Sequence, residues 1–265
     1  MPRFSVRGAE IAWEFSDEFG RPVVQLHGLT SSRARDRVLD LDLGRGLSGT
    51  RLLRYDARGH GQSSGGTEPE EYRWPALAED LLHLLEHWFP GEQVHGVGPS
   101  MGTATLLHAA VQAPGRFSGL TLLLPPTAWH TRVAQAQDYR RIAAFIEAHG
   151  AERFIAASRS MPRPPATVGT PETTPDVDER LLPAIYRGAA LSDLPDPEQI
   201  AGIEVPTTVL AWVDDPAHPL STAEALVDLL PHATLDIAQS PADVDRWPEA
   251  LCADVERPLG AHSSR

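Results

Sequence analysis

The chain has 265 residues, 42% hydrophobic and 22% charged, which suits one large α/β domain or two small ones and excludes global disorder. Its single cysteine, Cys252, excludes an intramolecular disulfide framework, and a net charge of −13 with no basic stripe excludes a nucleic-acid partner. No apolar run approaches the ~20 residues that cross a bilayer, and Met1-Pro-Arg-Phe-Ser-Val-Arg-Gly lacks a leader's apolar core, so a soluble cytoplasmic protein with no membrane partner is expected.

Phe4 to Phe15 reads as an antiparallel strand pair for a sheet edge. Val23-Val-Gln-Leu-His, Arg51-Leu-Leu-Arg-Tyr and Gln93-Val-His-Gly-Val are short apolar runs, the pattern of strands covered on both faces. Between the second and third, Trp74 to Trp88 carries apolar residues at helical spacing, with Pro75 in the tolerant first turn. Thr103 to Gln112 reads as a helix stopped by Pro114-Gly115, and Leu120-Thr-Leu-Leu-Leu as a strand ended by Pro125-Pro126. This alternation predicts βαβ units and a mainly parallel, doubly wound sheet.

From 127 to 204 the pattern changes. Arg132 to Ala157 is helical with a break near Gly150, a Pro/Thr-rich stretch runs from Met161 to Pro175, and Val177 to Leu191 is helical again. The expected organisation is therefore a core of 1–126 and 205–258, a helical insertion of 127–204, and a flexible tail of 259–265. Thr207 to Val213 and Ala233 to Ala238 read as strands, Ser221 to Leu230 and Val244 to Val255 as helices, with Ser221 a plausible N-cap. The chain has no internal repeat.

The sharpest local signal is Gly98-Pro99-Ser100-Met101-Gly102, a G-x-S-x-G between a strand and a helix. A serine on such a tight turn is held with its oxygen above the sheet, and the N–H groups that follow point toward any oxyanion formed there. A plain Gly-rich turn is the alternative reading. The glycines do not form a dinucleotide fingerprint, and the histidines are scattered, so no cofactor and no metal is expected.

Two further motifs stand in order ahead of it: Leu26-His27-Gly28-Leu29 after the first of these runs, and Tyr55-Asp56-Ala57-Arg58-Gly59-His60-Gly61-Gln62-Ser63 after the second. With these the sequence resembles the α/β-hydrolase superfamily over nearly its whole length. The resemblance implies a mainly parallel sheet with a helical cap inserted after the sixth strand, Ser100 as nucleophile, and the N–H groups of Leu29 and Met101 as oxyanion donors. It implies that His27 is structural, and that Asp56, Arg58, His60 and Ser63 shape a turn. The carboxylate is expected in Val213-Asp214-Asp215-Pro216-Ala217-His218-Pro219, as Asp215 with Asp214 the alternative; an ordinary Asp-Pro turn is the bland reading.

One element of the pattern is displaced. Members of the superfamily carry the catalytic histidine just after the last strand, where this chain reads Ala238-Gln-Ser-Pro-Ala-Asp-Val-Asp-Arg-Trp-Pro, with Asp243 near that position and only His262 beyond. A serine hydroxyl is a poor nucleophile without a base. His218, three residues past Asp215 on the strand-end rim, is the candidate replacement, since a triad is defined by geometry. Asp215, Asp214 or Asp243 would orient it; otherwise His218 is a turn residue. His130, beside Trp129, is a secondary candidate, whereas His95 and His108 read as fillers. Trp129, Tyr139 and Phe145 are candidate pocket walls, with Ile142, Ile146, Phe154 and Tyr186, although core packing explains several of them. A small, largely apolar substrate with one reactive carbonyl fits such an enclosure. The readings that follow are a serine-dependent hydrolase of a small-molecule ester, lactone or thioester; a lyase, cyclase or isomerase on the same scaffold; and a ligand-binding protein that has lost catalysis.

Overall fold

The computed structural model describes residues 2–16, 19–160 and 163–257. Strands β1 (Arg3–Val6) and β2 (Ala9–Ser16) form an antiparallel pair, followed by β3 (Arg21–Gln25), α1 (Arg33–Val38), β4 (Thr50–Tyr55) and α2 (Trp74–Trp88). β5 (Val94–Pro99), α3 (Met101–Gln112) and β6 (Phe117–Leu123) come next. Among the described residues, four helices then run without a strand: α4 (Trp129–His149), α5 (Ala151–Ser158), α6 (Leu182–Ala190) and α7 (Pro197–Ala201). The chain returns through β7 (Thr207–Trp212), α8 (Leu220–Leu229), β8 (Ala233–Ala238), α9 (Pro241–Val244) and α10 (Trp247–Glu256). The strands form one eight-stranded sheet in the order β1-β2-β4-β3-β5-β6-β7-β8, parallel from β4 to β8.

Burial explains these elements. Every residue of β5 and β7 is buried, as central strands covered on both faces must be. On one face α2 contributes Leu77, Leu81, Leu84 and Leu85, spaced i, i+4, i+7 and i+8, to a core shared with Leu106 and Phe117. On the other face Trp247, Leu251 and Val255 of α10 repeat every fourth residue against Leu43, Leu52 and Leu210. Among the described residues no helix is long and apolar enough to cross a membrane.

The differences from the sequence expectations are local. The break at Gly150 falls between α4 and α5, where its φ of 86° suits glycine. The helix expected from Val177 starts only at Leu182, because Val177 is held extended in a bridge to His60. The last helix begins at Trp247, after the separate turn of α9. The tail expected at 259–265 lies outside the described residues.

Buried ion pairs fasten the loops above the sheet. Arg58 donates through Nε and Nη2 to Asp80 at 2.6 and 2.7 Å, pinning the β4–α2 loop to α2. Both side chains are nearly inaccessible, so removing one partner strands the other charge away from water. Asp80→Ala is expected to cost about 3–5 kcal/mol in urea unfolding, and the double replacement Arg58→Met/Asp80→Leu to recover most of it. Additive losses in the double variant would contradict that reading.

Candidate active site

Ser100 joins β5 to α3 with φ 53° and ψ −109°, a left-handed conformation that costs a serine on the order of 1–3 kcal/mol. The surroundings impose it. Ser100 N–H donates to Leu123 O at 2.9 Å, and Thr103 Oγ1 donates to Gly98 O and Leu123 O at 2.8 and 2.9 Å. Glycine is required on both sides: a Cβ on Gly98 would lie 2.9 Å, and one on Gly102 3.0 Å, from Leu26 Cβ. The end of β3 is thereby pressed against the elbow. Ser100 itself stays half-buried, neither sealed in nor projecting.

The β7–α8 loop delivers the partners. Asp215 Oδ1 accepts from Ala217 N–H at 3.0 Å and His218 N–H at 3.3 Å, an Asx-type turn that curls the loop between Pro216 and Pro219. The same carboxylate takes His218 Nδ1–H on Oδ2 at 2.9 Å, and His218 Nε2 lies 2.9 Å from Ser100 Oγ. With Nδ1 holding its proton toward the carboxylate, Nε2 is left to accept from the hydroxyl. Burial pushes the Asp215 carboxyl up, but His218 and the two amides outweigh it and hold it below the ordinary carboxylate range. The structure thus brings Ser100, His218 and Asp215 into one chain of hydrogen bonds.

The other candidates lie elsewhere. Asp214 is exposed, with φ 56°. Asp243 caps its own turn: Oδ2 accepts from Gln239 N–H, Ser240 N–H and Ser240 Oγ–H at 3.0, 2.9 and 2.8 Å, and Arg246 takes Oδ1. His130 is exposed at the start of α4, and His262 lies outside the described residues. His27 is buried, donating from Nδ1 to Gly28 O at 2.8 Å and accepting Ala57 N–H on Nε2 at 2.9 Å; burial lowers its pKa and keeps it neutral. Trp129 donates from Nε1 to Pro195 O at 3.2 Å, and Tyr139 stacks on Tyr186 with centroids 5.7 Å apart. Phe145 is a correction: the helical phase that buries Ala143 and Ile146 turns it outward, 39% exposed, against the ring of His149.

The loop after β3 lies beside the serine. A Cβ on Gly28 would be 3.8 Å from Ser100 Cβ, so the backbone at Gly28 passes close to the serine side chain. Leu29 N–H takes no part in the loop's own hydrogen bonds, and Met101 N–H opens α3, where no carbonyl lies one turn back. Among the described residues neither amide donates a backbone hydrogen bond.

The family described as alpha/beta hydrolase fold matches residues 21–241. A 3-oxoadipate enol-lactonase of Acinetobacter baylyi is 28% identical over 200 residues, 71% of this chain and 70% of that protein. A putative carbamate hydrolase, RutD, of Cronobacter sakazakii is 26% identical over 200 residues, 69% and 70% of the two chains. A solved hydrolase from Pseudomonas aeruginosa is 26% identical, with a TM-score of 0.76 over 98% of both chains.

Beneath the loop lies Asp36, which sequence reasoning missed because nothing in Arg33-Ala-Arg-Asp-Arg-Val marks one carboxylate as buried. Its Oδ1 accepts Ser31 Oγ–H at 2.5 Å, while Oδ2 is buried without a partner. Gln25, His27, Arg33, Asp42 and Arg54 surround a cavity of about 10 Å³ there, about the least that admits one water. Burial raises the Asp36 pKa from 3.8 to about 7. A raised carboxylate pKa means the folded chain keeps a proton that the unfolded chain has released, so stability falls as pH rises through that interval. Asp36→Asn is expected to gain on the natural chain in urea midpoint as pH rises from about 4 to about 7. An offset independent of pH would contradict this.

Proposed function

The chain belongs to the α/β-hydrolase family, and from that premise we propose that it is a serine hydrolase of a small-molecule ester or lactone. The reading is carried by one observation: the His218 imidazole lies 2.9 Å from Ser100 Oγ on one side and 2.9 Å from Asp215 Oδ2 on the other. The relatives support the substrate class, since the Acinetobacter protein is named for an enol-lactone and the Cronobacter protein for a carbamate, both acyl compounds cleaved by water.

The steps follow from the geometry. Ser100 Oγ attacks the carbonyl carbon while its proton passes to His218 Nε2. The carbonyl oxygen becomes an oxyanion received by the N–H groups of Leu29 and Met101. Asp215 keeps the ring in the required tautomer and stabilises the imidazolium. As the intermediate collapses, Nε2–H protonates the departing alkoxide; in a lactone that hydroxyl stays tethered to the acyl chain. Water then attacks the acyl-serine with Nε2 again as base, and Ser100 is released as hydroxyl.

The helices between β6 and β7 serve in this reading as a cap over the serine, with Trp129, Tyr139 and Leu29 offering half-buried apolar surface. That lining favours a compact acyl group over an extended or strongly charged one.

A fluorophosphonate probe is expected to label Ser100 in the natural chain. Ser100→Ala and His218→Ala should each lower kcat on an activated ester by about four to six orders of magnitude, and Asp215→Asn by about four. Asp243→Ala, at the family's usual histidine position, should leave kcat within about twofold, because Asp243 serves only its own turn. Full activity in His218→Ala would overturn the assignment of the base.

A further inference from the structure

The proposed oxyanion donor Leu29 N–H sits on a loop whose anchoring extends well beyond the loop itself. In a trans peptide the C=O and the following N–H lie in one plane and point in opposite directions across the C–N bond, so fixing the oxygen aims the hydrogen. Gly28 O shares its plane with Leu29 N–H. It accepts His27 Nδ1–H at 2.8 Å and Ser31 N–H at 3.1 Å. Ser31 N–H in turn shares its plane with Thr30 O. That oxygen accepts Asp176 N–H at 2.9 Å and Arg35 Nη1–H at 2.9 Å.

Asp176 belongs to the stretch between α5 and α6, far away in sequence. It makes three contacts with the loops around the serine. Its N–H takes Thr30 O, its Oδ2 accepts Ser32 Oγ–H at 2.5 Å, and its carbonyl accepts Gly61 N–H at 2.7 Å. Neighbouring residues follow it: Val177 bridges to His60, and Thr173 Oγ1 accepts Arg35 Nε–H at 3.0 Å. Thr30 is held at φ 58°, a conformation threonine adopts only when surrounding contacts enforce it. Two peptide planes therefore connect Asp176 to the direction of Leu29 N–H.

Resting on the hydrolase reading above, we propose that Asp176 is a positioning residue for the oxyanion hole: it clamps Thr30 and Ser32 and, through them, aims the Leu29 amide at the reacting carbonyl. Asp176 touches no substrate in this account. The helical insert thereby does more than cover the site, since one of its residues completes the machinery beneath it. A disturbance of the insert reaches the transition state through this clamp.

The clamp predicts a signature that loss of packing would not give. Oxyanion donors act on the tetrahedral state and contribute little to ground-state binding, so kcat should fall with KM nearly unchanged. Asp176→Ala keeps the backbone groups that meet Thr30 and Gly61 but removes the Oδ2 contact with Ser32 that holds them in place; assayed in the full chain with a p-nitrophenyl ester, it should lower kcat about tenfold, a fraction of the ~hundredfold cost of losing one donor. The inhibition constant of an aryl boronic acid, whose tetrahedral adduct on Ser100 mimics that state, should rise by the same factor. Asp176→Asn keeps an oxygen for Ser32 Oγ–H and should stay within about threefold. If Asp176→Ala does not fold, Ser32→Gly cuts the same bond while leaving a competent helix cap, and should reproduce the loss. Unchanged kcat and boronate affinity, or a rise in KM alone, would overturn the clamp in a chain whose Ser100 is still labelled by fluorophosphonate. No labelling of the natural chain would instead overturn the hydrolase reading on which the clamp depends.

Discussion

One imidazole held at both nitrogens organises this molecule's site. His218 reaches Ser100 and Asp215 at hydrogen-bond distance, and the two partners come from opposite constraints. The serine is fixed by backbone strain at the tip of β5, where the close packing of Leu26 admits only glycine at 98 and 102. The histidine is fixed by a five-residue turn in which the orienting carboxylate also folds the loop. Because Asp215 and His218 lie three residues apart, the acid–base pair is assembled by local geometry. No second loop has to arrive for it to form. In the β8–α9 turn Asp243 serves as a cap.

The other half of the site is a problem in buried polarity. The loop after β3 places strong hydrogen-bonding groups under the sheet's rim, where an unpaired one costs about 1–3 kcal/mol. The fold answers with fixed partners at nearly every position. Asp56 receives Arg33 N–H, Nε and Nη2 together with Gln62 N–H, and Arg33 with these amides holds its carboxyl low against the opposing effect of burial. His27 and His60 are kept neutral, the latter pushed down to about 3 mainly by burial. Groups fixed in this way cannot reorient to solvate a charge, which is the condition under which aimed amides stabilise an oxyanion.

Much of this was legible in the sequence, for physical reasons. Central strands are buried on both faces and mostly free of charge, so β5 and β7 announced themselves, and the glycines around Ser100 mark a tight turn. His218 could be singled out because Asp215-Pro216 ties it to a strand end. Other features had no local signal. Ser32 and Asp176 meet across 144 positions, and the Pro/Thr-rich stretch that ends at Pro175 gives no hint that the carboxylate just after it will bind a distant helix cap. Phe145 showed the opposite difficulty: an aromatic at helical spacing looks like wall material until the phase of α4 is known. Asp36 sits in a run of charges that reads as solvated surface, yet α1 turns it inward beneath the loop.

In the proposed chemistry the serine forms a covalent bond that the displaced histidine makes possible. The most direct measurement is mass analysis of the protein quenched within its first turnover of an activated acetyl ester. An acetyl group on the peptide containing Ser100 in the natural chain, and its absence from His218→Ala at the same quench time, is the predicted result. Equal acetylation of the two proteins, or an acetyl group carried anywhere but Ser100, would contradict it.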